Sequence, residues 1–190
     1  MCSHTGMRNV IFSMGVSLDG YIAGPDGEID WSAPDEELHR FHNEQTRELG
    51  AAFCGRRLYE EMLYWERADE RRGATEAEFA EIWQGLPKVV FSRTLTAVEG
   101  NARLATGGPA EEVARLEGDV AVGGPGLAAS FIESGLVDEF RVFVSPVILG
   151  GGTPFLPALD RRIDLEQVET RTWGSRVTYL RYRRARTSAG

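Results

Sequence analysis

The sequence predicts an α/β fold in which a mostly parallel central sheet has helices on both faces and an antiparallel C-terminal edge. Short apolar, strand-like segments alternate with helical patterns along the first part of the chain, which is typical of a parallel sheet. The first of these segments, residues 9–17, is almost continuously apolar, which indicates burial on both faces. The last part of the chain contains consecutive strand-like segments, and these predict antiparallel pairing.

Length and composition are those of one ordinary domain. The chain has 190 residues, of which 42% are hydrophobic and 26% are charged, and it shows no repeat, linker or internal boundary. Its net charge of −8 argues against a nucleic-acid binder that relies on basic charge. No apolar run is long enough to cross a bilayer, and residues 1–6 do not resemble a signal peptide. We therefore expect a cytoplasmic protein with no membrane or nucleic-acid partner.

The first half of the chain alternates strands and helices. After the strand at 9–17, Ser32 is the expected N-cap of a helix that continues to Glu48. A buried strand at 51–54 leads through residues 55–57 into a second helix. Thr75 and Glu78 form an expected capping box for a third helix, and a buried strand follows at 88–92.

The second half contains a weaker strand at 102–105, a short helix at 109–116 and a long strand at 139–148. That strand is unusually apolar for a sheet edge, which indicates pairing or packing with a second copy. Residues 165–172 and 176–183 predict a closing hairpin. The arginines of this region are expected on a solvent-facing strand and tail rather than in a nucleic-acid site, and they are Arg176, Arg181, Arg183, Arg184 and Arg186.

A glycine junction at residues 119–126 follows one of the strands. A short β-branched run stops at Gly123 and Gly124, and apolar residues resume at helical spacing from Leu127. A strand, a glycine turn and a helix N-terminus direct backbone N–H groups at one point, which suits a phosphate. The spacing does not match G-x-G-x-x-G, so the junction alone leaves a simple connector and a phosphate site equally open.

Two further strand ends carry similar chemistry. Gly55-Arg56-Arg57 offers backbone N–H groups and two guanidinium groups at a helix start, and Ser92-Arg93-Thr94 offers two hydroxyls and a guanidinium. In an α/β sheet, ligands collect at the carboxyl ends of parallel strands. Because Arg forks and hydroxyls recognise a phosphate monoester and a helix N-terminus suits a diphosphate, the three turns together predict NADPH rather than NADH.

The sequence gives no indication of a metal or disulfide site. Cys2 and Cys54 are the only cysteines, and their separation excludes a C-x-x-C zinc site. His39 and His42 form H-x-x-H on the first expected helix, where we expect surface positions because the spacing suggests no third ligand. The H-x-E and P-C-x-x-C motifs of a zinc deaminase are missing, so deamination is excluded.

Several motifs occur in an order that resembles the dihydrofolate reductase-like superfamily. The closer similarity is to the reductase domain of riboflavin-biosynthesis deaminase–reductases and its stand-alone relatives. It extends over residues 8–184 as one domain, with flexible termini at 1–7 and 185–190. The motifs are Ser17-Leu-Asp-Gly-Tyr-Ile-Ala23, Asp30-Trp31, Gly55-Arg-Arg-Leu-Tyr-Glu60, Val90-Phe-Ser-Arg93, Gly123-Gly124 and Pro146-Val-Ile-Leu-Gly-Gly-Gly-Thr-Pro154.

The resemblance implies a three-layer αβα sandwich with NADPH along the carboxyl edge of its mixed sheet. Gly55, Arg56 and Arg57 would face the adenosine phosphates, and Ser92 and Arg93, with Thr94 beside them, would flank the adenine and 2′-phosphate. The glycine junction would cover the diphosphate and nicotinamide through Gly123, Gly124, Gly126 and Leu127. Relatives commonly have Thr at the position of Leu58, so one hydroxyl contact to the cofactor is missing.

The same resemblance locates the substrate side. Asp19 would lie near the nicotinamide and substrate, where it binds a sugar hydroxyl, relays a proton or only forms an Asp-Gly turn. The loop with Gly151, Gly152 and Thr153 would lie near the far end of the substrate or form a tight turn. Trp31 would line the pocket or belong to the core. Glu37 is a candidate catalytic carboxylate because its spacing to Phe41 directs it near the buried face, whereas Asp35 is a cap candidate and Glu36 a solvated one.

These features lead to an NADPH-dependent oxidoreductase that transfers hydride to a small heterocyclic substrate, with 5-amino-6-(5-phosphoribosylamino)uracil reduction as the leading expectation. Pterin or dihydrofolate reduction is one alternative, and it gains if an acid among residues 35–37 is buried and faces an empty pocket beside the nicotinamide site. An NADPH-binding module without turnover is another. Relatives of the family are often homodimers, so we expect a homodimer.

Overall fold

The computed structural model describes residues 8–174 and 176–185. Their centre is an eight-stranded sheet in the order β5-β4-β3-β6-β1-β7-β10-β9, accompanied by a small β2–β8 pair. The strands are β1 (Val10–Ser17), β2 (Tyr21–Ala23), β3 (Ala51–Gly55), β4 (Lys88–Phe91), β5 (Ala102–Leu104), β6 (Val120–Gly123), β7 (Glu139–Ser145), β8 (Thr153–Pro154), β9 (Leu165–Thr172) and β10 (Thr178–Arg184). The helices are α1 (Glu36–Arg47), α2 (Arg56–Met62), α3 (Ala74–Gly85), α4 (Pro109–Ala114) and α5 (Pro125–Glu133).

The sheet is parallel from β5 to β7 and antiparallel from β7 to β9, as the sequence predicts. Both faces of its centre are covered. Phe53 of β3 packs against Phe131 of α5, whereas the next residue, Cys54, packs in another cluster with Trp83 of α3. Since successive strand side chains point to opposite faces, α5 and α3 lie on opposite sides of the sheet. The expected three-layer αβα architecture is confirmed.

Two helix starts differ from the sequence expectation. Asp35, not Ser32, caps α1, and its carboxylate accepts from the Leu38 N–H at 2.8 Å. Ser32 instead ends a 3-10 turn at Asp30–Ser32. The helix α3 begins one residue before Thr75, after an N-cap at Gly73 whose N–H donates to the Glu76 carboxylate at 3.0 Å. In α1 the Asp35 side chain accepts from the free Leu38 N–H, and in α3 the Glu76 side chain accepts from the Gly73 N–H.

The strand β7 is shorter than expected and is not an edge strand. It ends at Ser145 and lies between β1 and β10. Its apolar character therefore reflects burial inside the sheet, and the expectation that it pairs with a second copy is wrong. The edges of the sheet are β5 and β9.

The expectation of solvated arginines on β10 is wrong for Arg181, whose side chain is 25% exposed, whereas Arg183 is exposed as expected. Arg181 and Arg183 donate to Glu139, whose side chain is 1% exposed, and Arg141 donates to the same carboxylate at 2.7 Å. Arg184 donates to the Gly135 carbonyl at 2.6 Å, while Arg176 is exposed. Burying a carboxylate requires such partners, so these arginines stabilise the junction of β7 and β10.

The chain ends fall mostly outside the described residues. These include residues 1–7 and 186–190 of the expected flexible termini, with Cys2 and Arg186, and also Ser175 of the expected closing hairpin. Ala185, which we expected in the flexible terminus, donates its N–H to the Asp164 carbonyl at 2.8 Å. Within residues 8–174 and 176–185, none of the helices has both the length and the apolar character needed to cross a membrane.

Candidate functional site

The three turns that the sequence predicts to bind phosphate lie along one edge of the sheet. Strands β3, β4 and β6 are parallel, and they end at Gly55, Phe91 and Gly123. Strands β1 and β7, which end at Ser17 and Ser145, are parallel to β6 and end at the same edge. The carboxyl edge of the sheet therefore combines the predicted cofactor turns with the loops predicted for the substrate.

The β3 and β6 turns approach each other closely around glycines. A Cβ at Gly123 would lie 2.3 Å from Cδ2 of Leu58, and a Cβ at Gly124 would lie 3.7 Å from the Gly55 nitrogen. Gly124 also has φ +91°, which side-chain-bearing residues rarely adopt, and it is the N-cap of α5. A Cβ at Gly55 would meet the Cβ of Leu127 at 3.7 Å. The glycines thus leave a narrow backbone-lined surface, and Leu58 covers one side of it.

Side chains join the β3 and β4 turns. Arg56 donates through Nη1 to the Thr94 hydroxyl at 2.9 Å and through Nε to Glu60 at 2.8 Å. The Ser92 hydroxyl accepts from the Thr94 and Leu95 N–H groups, which fixes the turn and leaves its own proton to donate. Arg57 and Arg93 are exposed. The sequence reasoning missed the role of Glu60, although its i, i+4 spacing from Arg56 signals such a pair.

Asp19 fastens the loop after β1 to the loop after β7. Its carboxylate accepts from the Leu149 N–H at 3.1 Å and from the Gly150 N–H at 2.7 Å. A hydrogen bond from the Ser17 hydroxyl is the main cause that lowers the pKa of the Asp19 carboxyl below its ordinary value. The two backbone N–H groups act in the same direction, and partial desolvation acts against them. Hydrogen bonds to the charged form have this effect. Asp19 is therefore an ionised loop anchor in this structure.

The glycine loop before β8 packs directly on the segment after β2. A Cβ at Gly152, where φ is +124°, would lie 2.0 Å from the Ala23 carbonyl oxygen. Thr153 pairs with Ala23 across the β2–β8 ladder. Of the two open interpretations, the contacts of Gly152 are those of a tight turn that binds the two loops together, and Gly151 lies on the same turn.

Trp31 and the acids after it do not surround an enclosed pocket. Trp31 is half-buried, and its indole N–H donates to the Glu28 carbonyl at 3.2 Å. Glu37 is exposed, so the expectation that its side chain approaches the buried face is wrong. A cavity of about 380 Å³ opens nearby between the starts of α1 and α3, and its lining includes Asp35 and Glu36 but not Glu37.

The comparison with known proteins assigns the chain to a family. A family model described as the RibD C-terminal domain matches residues 8–179. The chain belongs to this family. The uncharacterized protein YyaP of Bacillus subtilis (strain 168) is 32% identical over 187 residues, which cover 96% of this chain and 98% of YyaP.

Solved structures show the same fold. A Shewanella sp. PV-4 protein assigned to riboflavin biosynthesis superposes with a TM-score of 0.75 at 23% identity, covering 95% of this chain and all of that one. Dihydrofolate reductase from Enterococcus faecalis, complexed with NADP(H), superposes with a TM-score of 0.59 at 17% identity, covering 93% and 96%. The dihydrofolate reductase-like fold and the suspected family are both confirmed. RibD C-terminal family members are reductases.

In this RibD C-terminal domain, His42 packs against an aromatic ring and the described cysteine is buried. Contrary to the expected surface position, the centre of the His42 ring lies 4.4 Å from the centre of the Phe143 ring. Burial, and to a smaller extent the charge of the nearby His39, lowers the pKa of His42 to about 4. Cys54 is buried, which raises the pKa of its thiol to about 12. Among residues 8–174 and 176–185, no cluster of three His, Cys, Asp or Glu side chains is placed to hold a metal.

Proposed function

We propose that this RibD C-terminal protein is an NADPH-dependent reductase that transfers hydride to a small heterocyclic acceptor. The observation that carries the proposal is the meeting of the three turns: Gly123-Gly124 lies against Gly55, and Arg56 bridges to Thr94. A backbone-lined surface beside guanidinium and hydroxyl donors is the donor set that a phosphorylated dinucleotide requires.

The residues present fit the cofactor in two parts. The N-terminus of α5, with Gly124, Gly126 and Leu127, would hold the diphosphate against the glycine surface. The side chains at the adenosine end would hold the 2′-phosphate, and they are Arg56, Arg57, Ser92, Arg93 and Thr94. When bound, NADPH supplies the hydride, and the protein supplies binding, orientation and electrostatics.

The acceptor would lie where β1 and β7 end, next to the proposed nicotinamide position. There Asp19 holds the two loops together through the Leu149 and Gly150 N–H groups, which limits their movement around a bound ligand. Because Asp19 stays ionised, we assign it to positioning and not to proton donation. A catalytic role for Glu37 and an acceptor contact for Trp31 stay predictions.

Titration of the purified protein with NADPH and NADH, followed by nicotinamide fluorescence, tests the proposal. We expect NADPH to bind at least about tenfold more tightly, which corresponds to about 1.4 kcal/mol. Arg93→Ala should weaken NADPH about fivefold and leave NADH unchanged, because it removes a cation from the phosphate monoester alone. Arg162→Ala, an exposed arginine distant in sequence from the three turns, is the control. Equal affinity for the two nucleotides would contradict the proposal.

Turnover and assembly need their own measurements. Oxidation of bound NADPH on adding heterocyclic acceptors separates a reductase from a binding module without activity. Within residues 8–174 and 176–185, none of the acids at 35–37 is buried, so the condition that would favour the pterin alternative is not met. The homodimer also stays a proposal, which now rests on the family resemblance alone and is tested by sedimentation velocity.

A further inference from the structure

A network of charged side chains lies on the α1 side of the sheet, at the start of β7. Phe143 packs on Phe41 of α1, and the side chains of every second residue of β7 share that face. Ion pairs there join two glutamates to four arginines: Glu139 and Glu169 to Arg141, Arg171, Arg181 and Arg183. The network therefore has two excess positive charges, although the whole chain has a net charge of −8. Glu166 is opposite Arg183 in the β9–β10 ladder without an ion pair to the network in the described part of the chain, and counting it still leaves one excess positive charge.

The buried Glu139 carboxylate has no acceptor position left for further donors. Its Oε1 accepts from Arg141 Nε and from Arg181 Nε, each at 2.7 Å. Its Oε2 accepts from Arg181 Nη2 at 2.9 Å and from Arg183 Nε at 3.3 Å. Since an ionised carboxylate offers about four acceptor positions, the remaining N–H groups of these arginines need another acceptor.

The two Nη groups of Arg141 are such donors. The Arg141 side chain is 8% exposed, and its Nη1 and Nη2 donate to none of residues 8–174 and 176–185. They are not sealed off from solvent, because the fully enclosed polar side-chain atoms without a partner in that part of the chain belong to Asn43, Arg72 and Lys88. A narrow opening therefore leads to a charged donor that is almost buried, and leaving such a donor without an acceptor is costly.

Arg141 and Arg181 stand directly opposite each other in the β7–β10 ladder. Like charges in opposite positions of two strands repel, and Glu139 neutralises this pair on one side only. Arg181 Nη1 lies 3.9 Å from Glu169 Oε2, which is too long for a hydrogen bond. On its other side, Arg141 is paired in register with Ser13 of β1, whose hydroxyl forms no hydrogen bond within the described residues.

We propose that Arg141, Arg181 and the Ser13 hydroxyl bind a small oxyanion of the class of inorganic phosphate at the start of β7. Guanidinium and hydroxyl groups are the donors that such an anion accepts from, and its charge would reduce the repulsion between the two opposed arginines. Because Arg141 is only 8% exposed, the opening suits a small ion and not a macromolecule. The site is separate from the proposed cofactor turns, which follow the carboxyl ends of the strands, whereas Glu139 and Arg141 lie where β7 begins.

Thermal unfolding of the full-length protein in potassium phosphate and in potassium chloride of equal ionic strength tests the proposal. We expect phosphate at about 20 mM to raise the midpoint of unfolding by about 4–7 °C more than chloride does, which corresponds to a Kd of about 1 mM. Isothermal titration calorimetry with phosphate gives the same Kd directly. Equal midpoints in the two salts, which mean an effect of ionic strength only, would overturn the proposal.

Variants locate the anion. Arg141→Gln should abolish the additional stabilisation by phosphate, while Arg181 and Arg183 continue to neutralise Glu139. Ser13→Ala leaves the whole charge network in place and should weaken phosphate binding about threefold, so the test does not depend on the arginine variant alone. Arg162→Gln is the control, because Arg162 is exposed and pairs with Asp164 outside the network. Unchanged phosphate affinity in Arg141→Gln, or in Ser13→Ala where Arg141→Gln does not fold, would overturn the assignment.

Two further measurements separate this site from other phosphate sites. Arg93→Ala, which alters a proposed cofactor turn, should keep the stabilisation by phosphate; its loss there and retention in Arg141→Gln would overturn the proposal. Glycerol 2-phosphate should bind about tenfold more weakly than free phosphate, because its carbon chain would have to displace the side chains around the narrow opening at Arg141. Equal binding of the ester would overturn the restriction to a small free anion.

Discussion

Replacing Glu60 by Gln should tighten NADPH binding while leaving NADH almost unaffected. Glu60 accepts from Arg56 Nε at 2.8 Å, and both side chains are about half exposed. In the proposed complex Arg56 contacts the 2′-phosphate, so the Glu60 carboxylate both occupies one of its donors and repels the phosphate. NADH has no phosphate there and does not experience this competition.

The size of the effect follows from charge and distance. A unit charge about 7 Å from another contributes about 0.6 kcal/mol in water, and a phosphate carries nearly two such charges. Salt at about 0.1 M reduces this roughly by half. Removing the exposed ion pair itself costs only a few tenths of a kcal/mol. We therefore expect a gain of about 0.3–0.6 kcal/mol, which is about a two- to threefold lower Kd for NADPH.

Fluorescence titrations of both nucleotides at low and high salt measure the effect. The control is Glu61→Gln, which removes the neighbouring exposed acid of α2, one that has no ion pair within the described residues. The reasoning is refuted if NADH tightens as much as NADPH, if Glu61→Gln has the same effect, or if the gain persists unchanged at high salt.

Three other changes test the scaffold. Glu112→Gln should destabilise the protein by about 2–3 kcal/mol in urea unfolding, because the fully buried carboxylate accepts from Thr106, Gly107, Arg103 and Arg115 and an amide cannot replace it. Burial raises the pKa of Glu112, but these bonds outweigh it and lower the pKa to about 2, so its contribution should be lost as the pH falls from about 4.5 towards 2. The pKa of His42 is lowered to about 4, so the unfolded chain takes up a proton before the folded protein does as the pH falls. The free energy of unfolding should therefore decrease between pH 6.5 and pH 4, and His42→Phe should abolish this decrease. NMR titration of the imidazole in the folded protein should give a midpoint near pH 4. Gly152→Ala should lower the thermal unfolding temperature, because its Cβ would meet the Ala23 carbonyl oxygen at 2.0 Å.

The order of strands and helices could be predicted from local pattern, but the choice of capping residue could not. Ser32 and Asp35 both suit an N-cap, and only the 3-10 turn at Asp30–Ser32 decides between them. Glu78 looks like a capping-box acid, yet it accepts from Asn43 and Arg47 of α1 instead. Contacts between distant segments decide both cases, and local spacing does not contain them.

The candidate site could be predicted where it depends on strand ends and not where it depends on pairing order. Arg56 and Thr94 were expected near one another because each follows a parallel strand, and they are hydrogen-bonded. The strand β7 looked like an edge because sequence gives no neighbour, whereas the sheet encloses it between β1 and β10. The partners of Glu139 could not be predicted for the same reason, because the order of strands in the sheet is not visible in the sequence. Two of the three arginines that donate to Glu139 lie on β10, about forty residues later in the chain.

The position of β1 at the middle of the sheet also determines when this protein can fold. Val10 pairs with Val120 on one side, and Ile11 pairs with Glu139 on the other. Both edges of β1 therefore stay unpaired until the chain has been made as far as β6 and β7, and closing such long loops slows folding. A nascent chain that stops before β7 exposes one edge of its most apolar strand, which is a template for aggregation. Both edges of β1 are therefore covered only after β7 has been made, whereas the β9–β10 hairpin covers the far edge of β7.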